Sequence, residues 1–299
     1  MIIENAGYLP GLNADDIDRQ AKLDGPKGVE ITVLLPVLQE RQFVRLIAHV
    51  REQARLRLRS RPLGQILDAI DLTVSRLLDR QDPYRRRMEK LLPIITGYDR
   101  EMVRLGLTGY LKTFRRPQLQ RFLAEDFINP AILDSFQPLP KGGLGRAFGP
   151  KILTHVWAGN VPGLPLWSLV AGLLVKAGNI GKVPTVEPMF ASLFSQLFAE
   201  VAPELADCLA IVWWKGGDEA SELSVLNESD LVLGYGQNES LAAIQKRMPI
   251  TKRFLAYGHK VSFAMVSAEA LNVSKVCATA RLVAYDVARY DQQGCYAPH

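Results

Sequence analysis

At 299 residues, 48% hydrophobic and 22% charged, the chain can bury a large core, which excludes a fibrous or wholly disordered protein. Its net charge of +5, from 36 Lys and Arg against 31 Asp and Glu, is too small to mark a polyanionic partner by itself. Three cysteines, Cys208, Cys277 and Cys295, lack paired spacing, which argues against a disulfide framework and for a reducing compartment.

Met1-Ile2-Ile3-Glu4 shows no secretory leader. The longest apolar run, Val161 to Val175, is interrupted by Pro162, Gly163, Pro165 and Gly172 and is followed by Lys176, so no membrane span is expected and the reading is cytoplasmic. Residues 1–28 are polar, with one short segment that can pair with a later strand. Glu30 to Pro36 is apolar and β-branched and predicts a strand. From Gln39 to Leu123 apolar residues recur at three and four spacing, as in Phe43, Leu46, Ile47 and Val50, and predict amphipathic helices broken near Pro62, Pro83 and Pro117. Arg51, Arg55, Arg57, Arg59 and Arg61, then Arg85, Arg86 and Arg87, fall here without interleaved aromatics. They read as a solvated helix face, with no nucleic-acid partner. His49, among apolar neighbours, reads as a core or boundary residue.

Residues 125–150 crowd prolines and glycines and predict a loop and boundary. The spacing Gly143-x-Gly145-x-x-x-Gly149 misses the dinucleotide fingerprint by one position, and a strand follows where that motif needs a helix. After Pro150 strands and helices alternate. Strands are expected at Lys151–Trp157, Asn179–Val183, Leu209–Trp214, Asp230–Leu233 and Arg253–Tyr257. Helices are expected at about 166–177, 190–201, from Glu219, and at 239–248, the last opened by a glycine loop Gly234-Tyr235-Gly236. The succession predicts an α/β fold, a Rossmann-like parallel sheet with helices on both faces. Asn160, Lys182, Gly216, Gly217 and Gly236 all fall at carboxyl ends of those strands, where such sheets bind ligands.

Two stretches carry chemistry. Cys295 follows Gly294 in a polar loop with Pro298 beyond it, which suits a nucleophile on a turn and equally a small apolar filler. Asn160, in Ala158-Gly159-Asn160-Val161-Pro162, can donate to an oxyanion formed at that thiol, or simply make a turn before a helix. Cys208 and Cys277 lie in apolar surroundings and read as filler, and Trp213-Trp214 as core. The four histidines are far apart, and no metal site is expected.

Ala158-Gly159-Asn160-Val161-Pro162, Trp214-Lys215-Gly216-Gly217-Asp218, Gly258-His259-Lys260 and Tyr290-Asp291-Gln292-Gln293-Gly294-Cys295 together resemble the acyl-CoA reductase family, the LuxC-type fatty-acid reductases of the aldehyde dehydrogenase superfamily. The likeness is strong over 140–299. It implies an aldehyde dehydrogenase-like fold. In that fold 1–258 is the nucleotide-binding domain, with a helical part to about 140 and a Rossmann-like core from about 150. Residues 259–299 are the incomplete start of a catalytic domain otherwise missing. It implies that Cys295 takes the acyl group, that Asn160 and the Cys295 backbone N–H hold the oxyanion, and that Lys182, Thr185, Gly216, Gly217 and Gly236 bind the nicotinamide cofactor. A threonine at 185 in place of an acidic residue, beside Lys182, leans toward NADPH. Aldehyde-oxidising members place a glutamate base where this chain has Ala256, an absence that suits reduction of long-chain acyl-CoA or acyl-protein thioesters. His259 has either a structural role or one in proton transfer. A partner acyl-protein synthetase and a homo-oligomer at full length are also implied. A CoA-acylating aldehyde dehydrogenase, or a chain that only binds nucleotide or a partner subunit, are the alternatives.

Overall fold

The computed structural model describes residues 2–13, 15, 17–20 and 31–294. Its centre is a five-stranded parallel sheet built from β6 (Ile152–Val156), β7 (Gly178–Lys182), β8 (Leu209–Val212), β9 (Leu231–Tyr235) and β10 (Arg253–Tyr257), in the order β10-β9-β6-β7-β8. All neighbours pair in parallel, with Thr154 opposite both Ile180 and Val232. β6, β8 and β9 are short, largely apolar and mostly buried, as a sheet covered on both faces requires, whereas β7 is Gly-Asn-Ile-Gly-Lys and the edge strand β10 has no buried residue.

Alternate residues feed opposite faces. Ile152, Ile180, Ala210 and Val212 point to one face. There they meet Phe43, Leu46, Ile47 and Val50 of helix α1 (Glu40–Gln53) and Val225 of α9 (Glu219–Glu228). Leu209 and Ile211 point the other way, into a larger core with α6 (Leu164–Leu174) and α7 (Met189–Val201). Behind α6 and α7 a second layer is formed by α2 (Leu63–Leu78), α3 (Pro83–Thr96), α4 (Arg100–Lys112) and α5 (Arg116–Asp126). The helical part therefore has no core of its own; it completes the core of the sheet.

The expected prolines begin helices rather than merely breaking them. Pro62 precedes α2, Pro83 opens α3 and Pro117 lies in the first turn of α5, where the missing N–H has no helical partner to lose. Between α3 and α4 the chain turns within three residues. Gly97, at φ +76°, ends α3 in the left-handed conformation that glycine adopts without a Cβ clash, and the Asp99 carboxylate accepts from the Glu101 and Met102 N–H groups to start α4. Tyr98 is held between these two caps and is buried.

Strand β3 (Ile31–Val37) forms where the β-branched run predicts it, and the polar N-terminal part does supply a partner. It pairs in parallel with β1 (Ile2–Asn5) and antiparallel with β2 (Asp18–Gln20). Bridges from Tyr8 to Ile211 and from Val37 to Trp213 seat this small sheet beside β8. The 125–150 segment is not wholly irregular: β4 (Gln137–Pro138) and β5 (Leu144–Gly145) pair as a hairpin. Helix α8 (Pro203–Ala206) precedes β8, and α10 (Asn238–Arg247) joins β9 to β10. Beyond β10, α11 (Val276–Ala288) contains no buried residue.

Two expectations are corrected. Arg85 belongs to no solvated face; it is fully buried, because its guanidinium is satisfied by the Leu77 and Arg104 carbonyls, the Thr108 hydroxyl and Glu89. Cys277 is no core filler, because it lies on α11 and is exposed. The other arginine run does lie in a paired, partly solvated surface, with Arg51 on Glu228, Arg55 on Glu52, and Arg57 and Arg61 on Glu204.

Candidate active site

The chain leaves β6 toward β7 and β8, then returns to β9 on the other side of β6, so the strand order reverses between β6 and β9. At the carboxyl ends of β6, β9 and β10 opens a cavity of about 950 Å³. Its wall includes Asn160, Gly236, Ala256, Lys260, Gln293 and Gly294, with the aromatic residues Tyr110, Trp167, Tyr235, Tyr257 and Tyr290 around them. Tyr235 and Tyr257, the last residues of adjacent strands, stack with centroids 5.0 Å apart.

Asn160 lies in the loop from β6 to α6. Its backbone carbonyl accepts a hydrogen bond from the Tyr98 hydroxyl at 2.7 Å, and its side-chain amide donates to the Gln293 carbonyl at 2.5 Å. An amide nitrogen carries two hydrogens, so a further donor remains on the same group. Gln293 stands two residues before Cys295, which itself lies outside the described residues. Gly294, the last of them, is buried and lines the cavity. Asn160 and the residues leading to Cys295 are therefore neighbours.

The approach to Cys295 is anchored from the helical layer. Tyr290 is buried, and its ring packs at 5.3 Å against Tyr98. Its hydroxyl occupies the space over Gly106 of α4, where a Cβ would fall 2.1 Å from the oxygen. Tyr290, Asp291 and Gln292 all have positive φ, at 52°, 50° and 59°. Tyr98 is pushed up to about 12, first by burial and then by the charge of Asp291 and by Tyr290, which keeps its hydroxyl a proton donor.

No Asp or Glu lines the cavity among the described residues; the ionisable side chains there are Tyr, His259 and Lys260. Ala256 is part of the wall, so no carboxylate occupies that position. His259 is exposed, and its backbone N–H donates to the Asn238 side chain at 3.2 Å.

The other expected residues form a separate group. Lys182 ends β7 half-buried, its ammonium 5.7 Å above the Trp214 ring. Burial lowers its pKa, and the charge of Glu222 opposes that shift. Thr185 is exposed and accepts from the Trp213 indole at 3.0 Å. Gly216 and Gly217 form the exposed turn from β8 to α9, Gly217 at φ +86°. None of these four lines the cavity, whereas Gly236 does, at the entry to α10. Tyr98 and Gly106 were not singled out in the sequence, and Tyr290 entered only as the first residue of the string that ends in Cys295. The one local signal was the helix stop and start in Thr96-Gly97-Tyr98-Asp99.

Cys208 is buried, its thiol 3.6 Å from the Glu204 carbonyl and pushed up to about 12 by burial, which leaves it inert. Among the described residues there is no group of three or more potential metal ligands, and no helix is long and apolar enough to cross a membrane.

Comparison with solved structures places the fold. Aldehyde dehydrogenase 21 from Physcomitrella patens superposes with a TM-score of 0.77 at 13% identity, covering 100% of this chain and 60% of that one. Glyceraldehyde-3-phosphate dehydrogenase GapN from Methanocaldococcus jannaschii, complexed with NADP, gives 0.72 at 12% identity, covering 94% and 59%. The fold is thus that of the aldehyde dehydrogenases. A long-chain acyl-protein thioester reductase from Aliivibrio fischeri is 26% identical over 249 residues, 78% of this chain and 50% of its own. The chain spans about half the length of the curated relatives it matches. The model of the family described as Acyl-CoA reductase (LuxC) matches residues 58–299, and the chain belongs to that family.

Proposed function

We propose that this chain carries the nucleophile of a reductase that converts long-chain fatty acyl thioesters, on CoA or on a carrier protein, to fatty aldehydes with NADPH. The Cys295 thiolate attacks the thioester carbonyl, and the Asn160 amide with the Cys295 backbone N–H holds the charge that develops on oxygen. The bond to the departing thiolate then breaks, that thiolate takes a proton from solvent, and the acyl group stays on Cys295. With Ala256 in the wall and no Asp or Glu lining the cavity among the described residues, no carboxylate base draws a proton from water, so the acyl-cysteine persists.

The residues present fit an anionic dinucleotide. The half-buried Lys182 ammonium makes no ion pair among the described residues, and the α10 N-terminus beside Gly236 has no side-chain cap. Lys182 and Thr185 would hold the adenosine ribose, Thr185 leaving room for a 2′-phosphate, Gly236 would meet the pyrophosphate, and Gly216 and Gly217 belong to the same cofactor-binding set. Bound there, a nicotinamide supplies the hydride that makes the aldehyde. On this reading 1–258 is the nucleotide-binding part and 259–299 opens the catalytic part. A homo-oligomer and an acyl-protein synthetase as acyl donor belong to the same proposal.

The observation that carries the reading is the Asn160 bond to Gln293, which brings the amide within two residues of the thiol. Incubation with radiolabelled long-chain acyl-CoA tests it. Wild-type chain should acquire a hydroxylamine-sensitive label, Cys295→Ala should acquire none, and Asn160→Ala should label about 10²–10³-fold more slowly. A folded wild-type chain that takes no label would overturn the reading.

A further inference from the structure

Tyr98 touches both halves of the site. Its hydroxyl donates to the backbone carbonyl of Asn160, and its ring packs on Tyr290, five residues before Cys295. It is itself fixed by the Gly97 cap of α3 and the Asp99 cap of α4, so both contacts refer to one rigid corner. Tyr290 in turn has a seat made for it. Gly106 lies in the interior of α4, where glycine costs about 1 kcal/mol relative to alanine. The Tyr290 hydroxyl fills the space that any Cβ at Gly106 would take. No residue from 245 to 288 is buried, and Tyr290 then enters the main core. The position of the nucleophile loop relative to the sheet is therefore set at this ring.

We infer that Tyr98 is a positioning residue that holds the Asn160 amide in register with the Cys295 loop, its hydroxyl fixing the first and its ring the second. The inference rests on the reading of Cys295 and Asn160 given above. It makes the helical layer, which supplies no group to the chemistry, responsible for the distance between oxyanion donor and nucleophile.

Tyr98→Phe keeps the ring and removes the hydroxyl, and Tyr98→Leu removes both contacts. In the full chain, Tyr98→Phe should slow acylation of Cys295 by long-chain acyl-CoA about tenfold, the worth of one hydrogen bond held in a fixed geometry. It should leave alkylation by iodoacetamide unchanged, because that displacement forms no oxyanion. Added to Asn160→Ala, Tyr98→Phe should slow acylation no further. Independently of chemistry, Tyr98→Leu should speed amide hydrogen exchange in 158–161 and in 290–294 together while leaving β6 to β8 unchanged. Wild-type acylation in Tyr98→Phe, equal slowing of acylation and alkylation, or faster exchange in only one segment would each overturn the inference. Coupled exchange in a wild-type chain that takes no label would support the coupling while removing the assignment of Cys295.

Discussion

Ala256 ends in a methyl group where a carboxylate would be able to reach the cavity, and the consequence is a test at a single side chain. Ala256→Glu should add a general base, and the acyl-cysteine should then hydrolyse about 10²–10⁴-fold faster, read as the decay of a preformed label at neutral pH. An unchanged decay would mean that the cavity excludes water by shape instead. At this scale the sequence was informative where chemistry is local. Asn160 in its Gly-Asn-Val-Pro loop and Gly236 before a helix lie where the strand pattern puts them, and both line the cavity. Tyr98 was silent, and Tyr290 was named only within the string ending in Cys295, because the contact joining the two links positions remote in the chain and leaves no periodic trace. Arg85 misled for a related reason. An Arg-Arg-Arg run looks solvated until Thr108 and two carbonyls arrive from elsewhere to bond one of the three.

Helix α7 shows an element whose start depends on protonation. Glu187 is fully buried and accepts from the Met189 and Phe190 N–H groups at 2.9 and 2.8 Å. Burial raises its pKa from 4.5 to about 7, against the pull of those two donors. Its folded value lies above the unfolded one. Between these pH values the native state keeps a proton that the unfolded state has released, and stability falls as pH rises through that window. Glu187→Gln keeps the acceptor oxygen and loses the charge. Its melting temperature should therefore match wild type near pH 4.5 and exceed it above pH 7, by the equivalent of a few kcal/mol. A wild-type stability flat from pH 4.5 to 7 would contradict this account. β6, β8 and β9 were legible because buried parallel strands are short, largely apolar runs. The β4–β5 hairpin was not, since two residues a side give no alternation to read.

Over the whole molecule, burial is concentrated in the sheet and its helical layers. It is absent along 245–288, the edge strand β10 included, where Val261, Phe263, Met265, Leu271, Val273 and Leu282 are exposed. Brief proteolysis should therefore cut between 258 and 276 before any site in 31–257, with fragments identified by mass. First cuts within α2 to α7 would show that the layers are less cooperative than their shared core implies.

The excursion beyond β10 also has a bearing on tolerance to change. It leaves the sheet at Tyr257 and is buttoned down again at Tyr290. The entropy of closing a flexible span rises by only about 0.6 kcal/mol for each doubling of its length. Residues can therefore be added to the irregular stretch 263–267, outside the cavity wall and the helices, at little cost, and the point at which the chain is refastened stays where it is.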